Sequence, residues 1–451
     1  MDKNKFQNPL GMCDILPQDD FYYQKVINAG RKILDFYGFE RLETPILEAA
    51  DLFSRGIGES AEMVEKQMYV FRTRGKEALA LRPEAAVPTM RAYLQHGMNS
   101  WTQPVRLWHF GSFFRYEKPQ AGHHRQFNQF GLKYFGEKSP TADAQIILIL
   151  TAILEELGLK NLTVRINTVG DSNCRPSYKK ILLSFLKNRK NELCSGCQGT
   201  IKTNPLRIFN CKNEKCRHLL SEAPQIINHL CPECHQHFKE VLEILDEIKI
   251  SYVLDPFLVR SFDYYTNTVF EVGLSPEKKE KPEKKETEET EDLSGAENEE
   301  EEEQVEIQAG SLAGGGRYDK LAKSLGAEED IPACGWNIGV ERVIEAMKAK
   351  KIRPKSPTAQ IFLAQIGILA KRKTLRLLED FRKERIKIFE SLGRDSLKNQ
   401  LARASDLGAK YTLILGQKEA LSGEIIIRNM ENGQQVTVDQ KDIIKEIKKR
   451  L

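Results

Sequence analysis

Between Leu258 and Val272 the chain reads LVRSFDYYTNTVFEV, where one cation, one carboxylate and two adjacent phenols interrupt a strand-like alternation of apolar residues. Arg260 could bridge two anions, and the tyrosines could hydrogen-bond a polar ring. Read alone, the run fits better an edge strand in which Arg260 pairs with Asp263 and the phenols pack. Other segments add to the chemical reading. VRLWHFGSFFRYE and FNQFGLKYFG are two strand-like runs joined by the polar loop KPQAGHHRQ. Such a hairpin focuses Arg115, Glu117, Arg125, Phe127 and Gln129 on one spot. The composition fits a nucleotide: guanidinium for phosphate, aromatic ring for purine, carboxylate for an exocyclic amine. Further on, AGGGRYD sets three glycines, which permit close backbone approach to a ligand, before Tyr318. CGWNIGVERVIEAMKA then places Arg342 in the first turns of an amphipathic helix, a position that suits an anion contact.

Cysteine spells a different chemistry. Cys194-x2-Cys197 and Cys231-x2-Cys234 have metal-knuckle spacing, with Cys211-x4-Cys216 between them and His235 and His237 beside the second. Cys194, Cys197, Cys231 and Cys234 can close one tetrahedral structural Zn2+ site. Buried free thiols and a redox pair are the other readings. Nine cysteines, an odd count without a secretion signal, argue against a disulfide framework.

The elements that must hold these residues are readable in outline. Residues 21–37 carry apolar side chains at helical spacing and stop at Gly38. FERLETPILE follows as a strand that Pro45 confines to an edge or interface. LALRPE is a short strand before a helix bracketed by Pro83 and Pro88. A buried helix over Thr141–Gly158, a strand at LTVRINTVG and a helix over 239–248 come next. Residues 172–240 between them are basic, cysteine-rich and weakly periodic, as expected of a small inserted domain. After the linker KKIRPKSP, strands and helices alternate to the end as an independent α/β domain, with 19 basic and 12 acidic residues from 357 onward.

The formal charge of +4 is uneven: Glu277 to Glu303 holds 14 acidic and 5 basic residues, so this stretch carries −9 and the rest +13. The stretch reads as a solvated, disordered loop, and the surplus elsewhere suits a polyanionic partner. The N-terminus lacks a signal-peptide core, and the longest apolar run, Ile146 to Leu154, is too short to cross a bilayer. A cytoplasmic protein with no membrane partner is expected.

Together these segments resemble the histidyl-tRNA synthetases, a class II aminoacyl-tRNA synthetase family, over essentially the whole chain. FERLETPILE with Pro45, FRYEKPQAGHHRQFNQ and GVER are similar to the three class motifs. LVRSFDYYTNTVFE and AGGGRYD look like the two histidine-binding motifs, and TLILG and IIIRNM resemble the anticodon domain. The resemblance implies an α+β catalytic domain on a six-stranded antiparallel sheet (the class II synthetase fold), a small inserted domain and a C-terminal α/β anticodon-binding domain. The bounds are 1–171, 172–240, 241–350 with a disordered acidic loop at 274–307, and 357–451. It also implies a homodimer that uses ATP and Mg2+ to form histidyl-adenylate and charge tRNA-His. Carried over by position, Arg115 holds the α-phosphate, Glu117 the adenine amino group, and Phe127 stacks on adenine near Arg342, which reaches the γ-phosphate. Arg260 is the catalytic arginine between the histidine carboxylate and the α-phosphate. Glu84 grips the ammonium, Tyr265 and Tyr318 the imidazole, Gln129 the carboxylate, and Gln120 meets the tRNA acceptor end. The chain departs from the family pattern at Ala85-Ala86, which lack a hydroxyl, at Lys133, where an acidic residue is frequent, and at Ser261-Phe262. The alternative is a non-catalytic paralogue that regulates or senses; retention of Arg260 and of residues 357–451 favours the enzyme.

Overall fold

The computed structural model describes residues 6–59, 61–120, 122–201, 205–260, 262–275, 311–354, 360–393 and 396–451. Ser261 and, beyond Ser275, the expected acidic loop lie outside the described residues. The chain divides into two compact units, residues 1–353 and 354–451.

The first unit is built on an eight-stranded sheet. Six strands in its middle run antiparallel to their neighbours, in the order Val105–Phe114, Gln126–Phe135, Ala333–Gly339, Ala313–Arg317, Thr266–Leu274, Leu162–Thr168. Two short parallel strands, Glu40–Arg41 and Tyr252–Leu254, cap the edges and make the sheet mixed. Because side chains alternate across a strand, each strand serves two purposes. Trp108, Phe130, Leu132, Tyr134, Phe270, Val272, Trp336 and Ile338 share one face and pack on helices Pro17–Phe36, Pro140–Glu156, Pro232–Glu247 and Val340–Ala349. Each such side chain, fully buried, contributes about 1.5–3 kcal/mol. Phe127, Gln129, Lys133, Glu271 and Asn337 alternate with them and point to the opposite face.

Two buried ties lock this frame. Arg317, at the end of the glycine-rich run, donates Nε to Asp143 at 3.0 Å inside helix Pro140–Glu156, whose start is capped by Ser139. Arg82 of LALRPE donates to the Ser112 carbonyl at 3.0 Å and the Thr44 carbonyl at 2.7 Å, and lies over the Phe113 ring. Both arginines are therefore consumed by architecture.

Three sequence expectations are corrected. The run from Leu258 is not one strand: residues 258–260 and 262–265 form no strand, with a turn at 263–264, and the strand begins at Thr266. FERLETPILE makes two short strands, Glu40–Arg41 and Leu47–Ala49, with Pro45 between them, since proline cannot donate to a ladder. The helix expected from residue 239 begins at Pro232, where a proline in the first turn costs no hydrogen bond.

Residues 174–201 and 205–230 form helices Cys174–Asn188, Ser195–Thr200 and Glu214–Ser221 around a small core of their own that includes Tyr178, Leu182, Leu186 and Leu219. The second unit is a five-stranded sheet in the order Ile388–Glu390, Ile361–Gln365, Tyr411–Leu415, Glu424–Asn429, Gln435–Asp439, parallel over the first three and antiparallel thereafter. Among the described residues no helix is long and apolar enough to cross a membrane.

Candidate active site

One cleft over the polar face of the large sheet is lined by Glu84, Arg115, Glu117, Phe127, Gln129, Arg260, Tyr265 and Arg342. These come from five separate segments, and the sheet register explains how they meet. The hairpin pairs Phe113 with Phe127 and Gly111 with Gln129, so Phe127 and Gln129 rise from the floor beside the outgoing Arg115. The next strand sets Gly339 opposite Gln129, and helix Val340–Ala349 starts there with Arg342 in its first turn.

Arg115 donates Nε to the Pro83 carbonyl at 2.9 Å, and its guanidinium lies 5.0 Å from the Phe127 ring centroid. His123 links the loop to both sides, with Nδ1 at 3.2 Å from Glu117 and Nε2 at 3.2 Å from Arg342. Arg342 also donates to the carbonyls of Gly122 and Ser311, each at 3.0 Å. Gln120 is exposed on the same loop, closed by a bridge to His123.

Arg260 pairs with Glu271 at 2.6 Å, not with Asp263 as the edge-strand reading has it. Glu271 stands opposite Gly314, and a Cβ at Gly314 would come within 2.5 Å of Arg260 Nη1. The glycine-rich run thus makes room for this guanidinium. Burial alone would lower its pKa, but Tyr265 and Glu271 outweigh that and hold it above the usual arginine range.

Glu84 accepts the backbone N–H groups of Ala86 and Val87, each at 2.7 Å, at the start of helix Ala86–Gln95, and Tyr264 donates to it at 3.3 Å. Burial nevertheless raises its pKa. Gln129 Oε1 is buried and has no hydrogen-bond partner among the described residues, an open acceptor at the cleft floor. Tyr318 donates to the Cys334 carbonyl at 3.2 Å and sits edge-on behind Tyr265, with centroids 6.4 Å apart, away from the cleft wall. Lys133 is buried under the floor, its Nζ 2.9 Å from Asn337 Oδ1, and burial lowers its pKa to about 7 against the pull of Glu84. Glu341 of GVER binds the Asn128 amide at 2.9 Å and is structural.

Glu271, Asn337, Tyr264 and His123 were not singled out as site residues from the sequence. Period-two counting forward from Val269 marks Glu271 as inward, a signal that was available; the partnership of Asn337 with Lys133 spans two strands and has no local sign.

The four cysteines expected to close one metal site do not meet. Cys194 and Cys197 group with Cys211 and Cys216, whereas Cys231 and Cys234 group with Cys174 and Asp171. The physical reason is the return of the chain to its starting point: the Cys231 amide lies 3.0 Å from Cys174 Sγ, while the Cys194 amide lies 3.2 Å from Cys216 Sγ.

The histidyl-tRNA synthetase family profile matches residues 11–276, and an anticodon-binding domain profile matches residues 360–450. The histidine–tRNA ligase of Caldanaerobacter subterraneus subsp. tengcongensis is 37% identical over 442 residues, covering 98% of this chain and 99% of that one. That of Halothermothrix orenii is 38% identical over 443 residues, 98% of each chain. The crystal structure of apo S. aureus histidyl-tRNA synthetase aligns with a TM-score of 0.76 at 29% identity over 98% of this chain and 100% of that chain. An ATP phosphoribosyltransferase regulatory subunit/histidyl-tRNA synthetase from Bacillus halodurans C shares the fold, with a TM-score of 0.58 at 17% identity over 91% and 97%. With the family profile spanning more than half of the chain and full-length relatives above one-third identity, the chain belongs to the histidyl-tRNA synthetase family.

Proposed function

We propose that the cleft joins histidine to ATP as histidyl-adenylate, releasing pyrophosphate, and then passes the histidyl group to the terminal adenosine of tRNA-His. The observation that carries this reading is the polarity of the cleft. Three guanidiniums, Arg115, Arg260 and Arg342, share it with carboxylates of which Glu117, Glu271 and Glu341 meet His123, Arg260 and Asn128, leaving Glu84 and Gln129 Oε1, unpartnered among the described residues, as the acceptors for a cation. An aminoacyl-adenylate has that polarity, anionic at its phosphate and cationic at its ammonium.

In the first step a histidine carboxylate oxygen attacks the α-phosphorus and the bond to pyrophosphate breaks. Both reactants are anionic, so the barrier falls through positioning and through cations aimed at the developing charge. Arg260, braced by Glu271, spans the carboxylate and the α-phosphate, and Arg115 holds that phosphate from the hairpin side. Phe127 stacks on adenine, Glu117 takes its amino group, and Arg342 reaches the γ-phosphate. Glu84 and Gln129 Oε1 take the ammonium, which departs from the expectation that Gln129 holds the carboxylate: an acceptor without a donor suits a cation, and Arg260 serves the carboxylate. Tyr265 lines the cleft and faces the imidazole, while Tyr318, edge-on behind it with its proton committed to Cys334, supports that ring in place of the direct contact expected of it. Gln120, exposed on the loop, meets the acceptor end, and the second unit meets the anticodon. In the second step a terminal ribose hydroxyl attacks the carbonyl carbon and AMP leaves.

Mg2+ fits this cleft as a passenger of ATP. Glu271, with one oxygen engaged by Arg260, would offer the ion its other oxygen, and Glu117 is committed to adenine, so protein ligands alone would not make a cage. When bound, the ion neutralises phosphate charge. Ile46, Leu47, Val70 and Phe71 lie exposed on or beside the three-stranded sheet next to Pro45, which supports the homodimer on that surface.

Amino-acid-dependent ATP/pyrophosphate exchange tests the function. Exchange with histidine alone is expected; robust exchange with a different amino acid, or none with any, overturns it.

A further inference from the structure

We propose that residues 171–234 are held by two separate Zn2+ ions, one on four thiolates and one on three thiolates and a carboxylate. The ligand atoms of Cys194, Cys197, Cys211 and Cys216 all lie within 4.8 Å of one another, and so do those of Asp171, Cys174, Cys231 and Cys234. Seven of the nine cysteines in the chain are thereby accounted for.

Distances favour a shared ion over other uses of sulfur. Two thiolates on one tetrahedral Zn2+, each about 2.3 Å from it, stand about 3.8 Å apart. Cys194 and Cys211 Sγ are separated by 3.8 Å. A disulfide would need about 2.05 Å. In each quartet a backbone amide also points at a sulfur, Cys194 N–H at Cys216 Sγ (3.2 Å) and Cys231 N–H at Cys174 Sγ (3.0 Å). Amide donation favours the thiolate that a metal requires and orients its lone pairs.

The second site is built at the root of the insert. Asp171 and Cys174 stand where the chain leaves strand Leu162–Thr168, and Cys231 and Cys234 where it enters helix Pro232–Glu247. Cys174 opens one 15-residue helix and Cys231 caps another of 16, so two helix N-termini direct positive ends at the same thiolates. Asp171 Oδ1 accepts from the Asn173 and Cys174 amides at 2.8 and 3.1 Å, which fixes the carboxylate, while Oδ2 accepts from Asn173 Nδ2 at 3.3 Å and keeps a second lone pair for the ion.

The arrangement answers a stability problem. The insert has a small core, and small cores need covalent or metal cross-links. The second ion ties its two ends together, and the first fixes its outer part. Cys194, Cys197 and Cys211 also share a cavity wall with Arg115, Arg260 and Arg342, so the first ion holds the far side of the nucleotide cleft.

Elemental analysis of the full-length chain, expressed with zinc in the medium and stripped of loosely bound metal on a chelating resin, tests the proposal. Two zinc ions per chain are expected, falling to one in Cys216→Ser and one in Asp171→Ala. Zero or one in the unaltered chain, or no loss in either variant, overturns it. Where a variant fails to fold, the intact chain loaded with Co2+ keeps the question decidable. Tetrahedral absorption bands saturating at two equivalents support the two sites, and saturation at one overturns them. Asp171→Cys should retain two ions and strengthen the thiolate-to-cobalt band, whereas loss of an ion there counts against Asp171 as a ligand. The metal count is independent of histidine activation, so it fails or stands apart from the assigned reaction.

Discussion

Arg260 is a half-buried cation paired with Glu271, and the glycine beneath it leaves its guanidinium facing the cleft. Its contacts strengthen as charge develops on the α-phosphate, so Arg260→Ala should lower the exchange rate about 10²–10³-fold while changing the histidine dissociation constant far less. Equal losses, read by exchange kinetics and equilibrium dialysis, would reduce it to a binding residue. Lys133 makes a pH-dependent prediction. Its ammonium, lowered to about 7 by burial, is charged at pH 6 and neutral at pH 8, and it lies near the proposed ammonium pocket of Glu84. The histidine KM of the unaltered chain relative to Lys133→Met should therefore be raised at pH 6 and approach a constant ratio above pH 8; the ratio cancels the titration of histidine itself. Stability follows the same sign. A lysine depressed in the fold costs most below about pH 7, and the cost shrinks as pH rises toward its unfolded value, so the gain in Tm from Lys133→Met should be larger at pH 6 than at pH 9. Residues of distinctive chemical type at a motif position, such as Arg115, Phe127 and Arg260, were legible in the sequence. Asn337 was not, because its meaning is a partner, Lys133, on another strand, and Glu271 carried a periodicity signal but no sign that Arg260 would turn back to meet it.

At the scale of elements, the hairpin and the main helices could be read from periodicity, since alternation and helical spacing are local properties. Strand order was not readable from periodicity; the antiparallel class came from the resemblance. The short edge strands escaped altogether, being too brief to show a period. The cysteine knuckles illustrate the same limit: spacing along the chain identifies each half-site, but which halves join depends on where residues 171–234 fold back. Strand Ala313–Arg317 offers a direct test of element-level positioning. Gly314→Ala would bring a methyl against Arg260 Nη1, while the strand's pairing through backbone groups is retained. The expected result is a chain that melts within a few degrees of the original, loses exchange activity as Arg260→Ala does, and still binds ATP. Undiminished exchange would mean that Arg260 is free to move without cost.

For the whole molecule, charge balance is the property that the sequence announces most plainly. Residues 278–303 contain 13 acidic and 5 basic side chains, so deleting them moves the formal charge from +4 to +12. The flanking strands Thr266–Leu274 and Ala313–Arg317 are antiparallel neighbours with Val272 opposite Ala313, so their ends are already close and a short linker can rejoin them. Histidine-dependent exchange should survive the deletion nearly intact, because the residues assigned above to ATP and histidine all lie outside the excised stretch. Affinity for RNA should change instead. Removing a local charge of −8 lessens repulsion of the phosphate backbone, so binding of both tRNA-His and unrelated tRNAs should tighten at low salt. The difference should fade as added salt screens charges beyond roughly 8–10 Å. Filter binding across a salt series would show two lines converging at high ionic strength, with the cognate preference narrower in the deleted form. Parallel lines, or weaker tRNA binding after deletion, would mean that the acidic stretch makes a favourable contact of its own rather than acting through its charge.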